Sequence, residues 1–380
     1  MLVKHILFNV CTLTTLILAV PTTPEFPYPV PSTNSFPHPN IKQLHHIETA
    51  ADGLVNTTNA PPHPKLSPKD IANLQLLVFN EFFETAFFNS LLHNITNNVT
   101  GYEYSKKTEL VAILKDILAQ EQLHALNAIS ILQANDAFVP SPCKYQFGST
   151  ALQHAINFAQ VFTTIFMGTL QDIAVSFSRS NPSQVRTMAA MIANEAEQGG
   201  YFRHVLEKKP SAHPFPTTSL PEFLFSALNI YTVTGSCPFA MDKINITVFR
   251  PFQLDGVGMI KPEDQTLRFT TDMGRDTAAA RRLGYGSNGT GSGLFVTYLN
   301  AQLKPISEPA TNLRWNGTVL TVDAKFPYSK YLMTGLSLAA LTTRGDFSSV
   351  DAVPEFTLAA PAVMQADHYL NSEDKLGGLE

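Results

Sequence analysis

The sequence predicts an α+β chain in two parts: a four-helix bundle with a short fifth helix, then a β-sandwich-like domain. Three observations carry this. Between Ser67 and Cys237, long stretches repeat apolar residues at alternating steps of three and four, the signature of helices packed lengthwise. After Cys237 the pattern shortens to alternating runs separated by Gly, Pro and Asn. And in the stretch from Leu110 to Leu132, Glu121 and His124 fall on the seam that otherwise holds Leu110, Leu114, Ile117, Ala128 and Ile131. The expected organisation is a signal peptide (1–20), a Pro-rich flexible arm (21–66), the bundle (67–235), the β domain (236–365) and a flexible tail (366–380).

The first twenty residues open with Lys4 and His5 and continue as an apolar run from Ile6 to Val20. That length and position suit a secretory signal cleaved near Ala19 better than a membrane anchor, and no second long apolar run is evident. An extracellular address agrees with Asn-x-Ser/Thr sequons at Asn56, Asn94, Asn98, Asn245, Asn288 and Asn316, read as glycosylation sites. Of three cysteines, Cys11 leaves with the signal; Cys143 and Cys237 remain to form one disulfide, worth roughly 4–5 kcal/mol over so long a loop. A net charge of −5 gives no basis for nucleic-acid binding.

The arm PTTPEFPYPVP reads as extended chain, and His38, His45, His46 and His63 as solvated side chains. The first bundle helix starts at a capping box, Ser67 with Asp70, with Pro68 at its first position, and runs to about Leu92. It is apolar nearly all round, which marks a central helix; Glu81 lies on its seam and Glu84 one turn on. The second helix is the Leu110–Leu132 stretch. The third spans about Ser149 to Phe177 and the fourth about Ser183 to Leu206, joined by the Asn181-Pro182 turn. On the fourth, Glu195 is the polar seam residue and Gln198 stands three residues later. A short fifth helix, capped at Ser219, covers about 220–231. INITVF, QTLRFT, GLFVTYLN, TVLTVDAKF and LSLAALTT read as strands. Gly284, Gly286 and Gly289 imitate a dinucleotide fingerprint but lack the strand before and helix after, so no dinucleotide cofactor is expected.

A buried ionised carboxylate is costly unless paired or coordinated. Glu-x-x-His on an inward helix face is the building unit of carboxylate-bridged metal sites in four-helix bundles. Helix rise places Glu81 and Glu121 at matching depth. Glu195 should face residues 163–167 of the third helix, none of them acidic; Asp172, the acid on that helix, lies closer to the turn. The expected metal set is Glu81, Glu121, His124 and Glu195 with Gln198 as a neutral fifth member. Oxygen-rich ligands with one imidazole favour iron or manganese. A hydrogen-bonded polar cluster without metal remains the competing reading.

The segments LQLLVFNEFFETAFF, AQEQLHALNA, GTLQDI, NEAEQGGYFRHVL, FLFSALN and GSCP resemble secreted ferritin-like proteins of filamentous fungi, in the late sexual development and stress-response Rds1-type family. The resemblance covers most of residues 67–365. It implies a ferritin-like bundle, an extracellular role in development or stress, and metal ligands at Glu81, Glu121, His124 and Glu195; Gln198 departs from the family's second His. Two functions stay open: a secreted iron- or manganese-binding protein, or a non-catalytic glycoprotein of the cell wall or fruiting body whose β domain binds wall components.

Overall fold

The structure, a computed structural model, describes residues 28–31, 34–55, 65–256, 258–274 and 293–370. The signal segment, Asn56, Asn288, His63, the Gly284–Gly289 run and residues 371–380 lie outside the described residues. The bundle consists of α2 (Pro68–Thr96), α3 (Lys107–Ala134), α4 (Leu152–Ser180) and α5 (Ser183–Val205), preceded by α1 (Ile41–Ala50) and followed by α6 (Pro221–Tyr231). The sheet-rich part holds β3 (Gln253–Leu254), β4 (Gln265–Asp272), β5 (Phe295–Asn300), β6 (Ile306–Pro309), β7 (Thr311–Asn316), β8 (Val319–Phe326), β9 (Gly335–Thr342) and β10 (Thr357–Ala366), with a single helical turn, α7 (Tyr328–Tyr331), after β8. Two short strands, β1 (Tyr28–Pro29) and β2 (Lys144–Tyr145), pair beside the bundle.

Helix α2 starts as its sequence dictates. Ser67 Oγ accepts from the Asp70 amide and Asp70 Oδ2 accepts from the Ser67 amide, each at 3.2 Å. Phe79, Phe82, Phe83 and Phe88 are all fully buried, so α2 is packed on every side. Helix α4 is long and apolar enough to cross a membrane, an apolar run the sequence reading passed over; its residues are mostly buried as a core helix of the bundle. Cys143 and Cys237 are bonded, joining the loop before β2 to the segment after α6.

Two antiparallel sheets, ordered β10-β9-β5-β6 and β3-β4-β8-β7, form the sandwich. Their facing sides bury Val296, Tyr298, Ala339, Leu341 and Met364 against Phe269, Leu320, Val322 and Ala324. The other side of the first sheet, with Leu299, Leu336, Leu338, Ala340 and Val363, belongs to the apolar cluster of the bundle. Successive residues of β9 thus enter different cores, and every residue of the strand is buried. The molecule has three layers, helices on sheet on sheet. A glycine is required where α4 meets the connecting segment: a side chain at Gly168 would strike the Thr217 carbonyl oxygen and the Ser219 amide.

Several expectations are corrected. Residues 41–50, read as part of an extended arm, form α1, because Asn40 and Gln43 make a capping box and Ile47 buries against Ala119 of α3. INITVF is not a strand. Its apolar residues Ile244, Ile246 and Phe249 pack on the bundle, and the Phe249 amide donates to Ser226 Oγ of α6 at 2.8 Å. Ser219 does not cap α6, whose cap residue is Leu220 without a side-chain bond, and α4 begins at Leu152 rather than Ser149. Residues 366–370 are not a loose tail: Ala366 ends β10, Asp367 is buried and Tyr369 bridges to Lys208.

Candidate metal centre

The site forms where α2, α3 and α5 face one another halfway along the bundle. Glu121 and His124, one turn apart on α3, point the same way. His124 Nδ1 lies 3.0 Å from Glu121 Oε2, 3.6 Å from Glu195 Oε1 and 3.8 Å from Glu81 Oε2. One ligand atom from each of Glu81, Glu121, His124 and Glu195 falls within 4.8 Å of all the others. The three carboxylates have no exposed surface, and the imidazole keeps 15 %.

The hydrogen bonding is incomplete in a way that fits a cation. Both carboxylate oxygens of Glu81 and of Glu195, and Oε1 of Glu121, are buried without a partner. Unpaired anionic oxygens away from water are unfavourable, and among the described residues the nearest cationic group is the His124 imidazole, 3.6 Å from Glu195 and 3.8 Å from Glu81. Burial, and then the charges of Glu121, Glu84 and Glu195, raise the Glu81 carboxyl well above its usual range. Burial, then Glu121 and Glu84, do the same for Glu195. A divalent ion among these oxygens would supply the missing partner and remove the repulsion; three carboxylates with one imidazole are a donor set suited to iron or manganese.

The remaining expected residues sort as follows. Gln198 is buried, and its Nε2 donates to Gln120 Oε1 and Asn194 Oδ1, both at 3.1 Å, leaving Oε1 without a partner. The amide nitrogen is therefore held by its neighbours while the oxygen stays available. Helix α4 gives the four-residue group no ligand. Thr163 lies there instead, with its Cγ2 close to Gly199 of α5 and its buried Oγ1 unpartnered. Asp172 stands apart and lines a different cavity.

One more carboxylate matters than the seam pattern assigned. Glu84 is 3 % exposed, accepts from Asn80 Nδ2 at 3.1 Å, and its own carboxyl is raised by burial and then by Glu121. The available signal was the pair of polar residues, Asn80 and Glu84, on a helix whose other faces are apolar. Gln120 was likewise unmarked; its role is to fix the Asn194 and Gln198 amides.

A family model described as a ferritin-like domain matches residues 69–208, the stretch that holds all of α2 to α5 but the first residue of α2, and every residue of the cluster. No curated protein matches the chain. The helical part is a ferritin-like region, and the antiparallel sheets after it complete an α+β architecture.

Proposed function

We propose that this chain is a secreted protein whose ferritin-like region holds one iron or manganese ion on Glu81, Glu121, His124 and Glu195, with Gln198 Oε1 as a neutral auxiliary donor. The observation that carries the reading is the convergence of four ligand atoms within 4.8 Å around carboxylate oxygens that lack any other partner. A bound first-row metal there would supply Lewis-acid or redox chemistry. The chain's own contribution is to orient and to exclude water. The shared turn of α3 sets Glu121 and His124 in one direction, the Gln120 amide network fixes Gln198, and the apolar helices around them keep the carboxylates dry. The disulfide is consistent with an oxidising, extracellular location. A role in fungal sexual development or stress rests on the sequence resemblance alone.

One observation favours a second reading. Helix α4 adds no acid to the cluster, so the donor set is smaller than the two-Glu, two-Glu-x-x-His set of two-metal bundles. That favours a non-catalytic wall or fruiting-body protein with a vestigial site. Elemental analysis after reconstitution with Fe(II) or Mn(II) separates the two. Metal at one equivalent, lost in Glu121→Ala, with a melting temperature that falls on chelation only in the unsubstituted protein, supports the first. Background metal and no effect of chelator leave the second.

A further inference from the structure

Of the four residues in the cluster, His124 alone keeps any exposed side-chain surface, so the way in to the carboxylates runs past its ring. Three sides of the bundle are closed by packing. Phe36 lies edge-on to Phe82 of α2, and the Asn34 amide donates to Gln122 Oε1 of α3 at 3.0 Å, so the segment before α1 covers the α2–α3 side. Phe83 of α2 meets Phe158 and Phe162 of α4, and Tyr231 of α6 lies edge-on to both. Between α4 and α5, Thr163 packs close to Gly199. The fourth side, between α3 and α5, is built differently. These two helices have few backbone positions near one another, unlike α2 with α3 or α4 with α5. A group of amides bridges them. Gln120 Oε1 of α3 accepts from Asn194 Nδ2 at 3.2 Å and from Gln198 Nε2 at 3.1 Å, and Gln198 Nε2 also donates to Asn194 Oδ1 at 3.1 Å.

The spacing ties these amides to the ligands. Gln120 precedes Glu121 and stands four residues before His124; Asn194 precedes Glu195 and stands four residues before Gln198. Residues four apart on a helix are neighbours on one face, so the bridge and the exposed imidazole share the seam. Gln120 and Asn194 are half-buried, and Gln198 is buried, which grades the polar groups inward toward the carboxylates. An apolar seam would force an ion to shed its water with nothing in exchange. Amide oxygens can replace that water, and Gln198 Oε1, buried with no partner, is an acceptor held open on this path. A neutral amide hydrogen bond contributes little enough net stability to break and re-form, so the bridge closes the seam without sealing it.

We infer that the α3–α5 seam is the route by which a divalent cation reaches Glu81, Glu121, His124 and Glu195, with Gln120 and Asn194 as its gate; this rests on the metal-binding role proposed above. A gate sets one barrier, so it changes uptake and release by the same factor and leaves affinity alone. Stopped-flow absorption with Co(II) as the probe follows uptake, and loss of the Co(II) signal to EDTA follows release. Asn194→Ala removes two of the three amide bonds while Gln198 keeps its bond to Gln120. It should speed uptake and release alike by at least about fivefold, the scale of one ordinary hydrogen bond. Asn194→Leu keeps the branched shape without the polar atoms and should slow both relative to the unsubstituted protein. Loosened structure alone would move the two variants in the same direction. Gln122→Ala, which frees the Asn34 amide on the covered α2–α3 side, should leave both rates unchanged. Unchanged rates in both Asn194 variants, a shift in the same direction in both, a rate change that appears only as altered affinity, or faster uptake in Gln122→Ala would each overturn the route while the metal-binding role stands. Failure of the unsubstituted protein to bind Co(II) would defeat that role, and the route with it.

Discussion

Glu195 has no hydrogen-bond partner at either oxygen and shares its surroundings with Glu81, Glu84 and Glu121. A group whose carboxyl is raised in the folded state stabilises the fold fully at low pH, and that contribution is lost as pH rises through its folded value. In metal-free protein at neutral pH, Glu195→Gln should therefore raise stability, by roughly 1–3 kcal/mol, with the advantage growing as pH rises. The same variant should lose the metal-dependent increase in melting temperature; if it is neutral without metal and still responds to metal, Glu195 is not part of the cluster. Asp172 gives an independent case. Burial pushes its carboxyl up to about 6, outweighing Lys69, with Asp351 and Glu222 adding to the rise. Its contribution is present below about pH 4 and fades as pH climbs toward 6, so Asp172→Asn should flatten the fall in stability over that interval by on the order of 2 kcal/mol. Denaturant melts at pH 4 and pH 7 would check it. At this scale the sequence was most legible where a polar residue interrupts a one-sided seam, as Glu121 and His124 do on α3. It was least legible on α2, buried on all faces, where no apolar stripe distinguishes Glu84 from its neighbours.

Helices were readable where caps and period agree. Ser67, Pro68 and Asp70 announce α2, and the Asn181-Pro182 turn separates α4 from α5. Misreadings arose where an element takes its shape from what it packs against. Residues 244–249 alternate like a strand, yet their apolar side chains meet α6 and no strand pairs with them. The Asn40 capping box was overlooked among surrounding prolines and histidines, although Asn40 Oδ1 accepts from the Gln43 amide at 3.0 Å. The Cys143–Cys237 bond is the covalent element of this scale, closing a separation of 94 residues. In the chain-entropy account such a loop is worth about 4–5 kcal/mol. The double variant Cys143→Ser/Cys237→Ser should lose that much in denaturant unfolding while keeping the metal cluster, which is built from other elements. A loss under about 1 kcal/mol would mean that the unfolded chain is already held compact in this region.

Across the whole molecule, one buried ion cluster fastens the end of the bundle to the last strand. Asp367, just past β10, accepts from Arg203 Nη2 of α5 at 3.0 Å through Oδ1 and lies 2.9 Å from Lys208 Nζ through Oδ2. Lys208 Nζ also donates to Asn157 Oδ1 of α4 at 2.7 Å and to Gln365 Oε1 of β10 at 3.2 Å. Burial alone would raise Asp367, but Lys208 and Arg203 outweigh it and hold the carboxyl below its usual range. Burial pulls the Lys208 ammonium down, against the opposing pull of Asp367. Nothing in the sequence marked these residues as partners, because 159 positions separate Lys208 from Asp367 and charge pairing at that distance leaves no local pattern. Removing one member strands two buried cations, so Asp367→Ala should cost about 3–5 kcal/mol in denaturant unfolding. The combined change Asp367→Leu, Lys208→Met and Arg203→Met should recover part of that loss, since apolar replacement of a whole buried cluster is far less unfavourable than breaking it. Because bundle and sheet share one apolar cluster, both variants should still unfold in a single transition when followed by helix and by sheet signals. Two separated transitions in Asp367→Ala would show instead that this ion cluster, and not the shared core around Leu338 and Val363, couples the two parts of the fold.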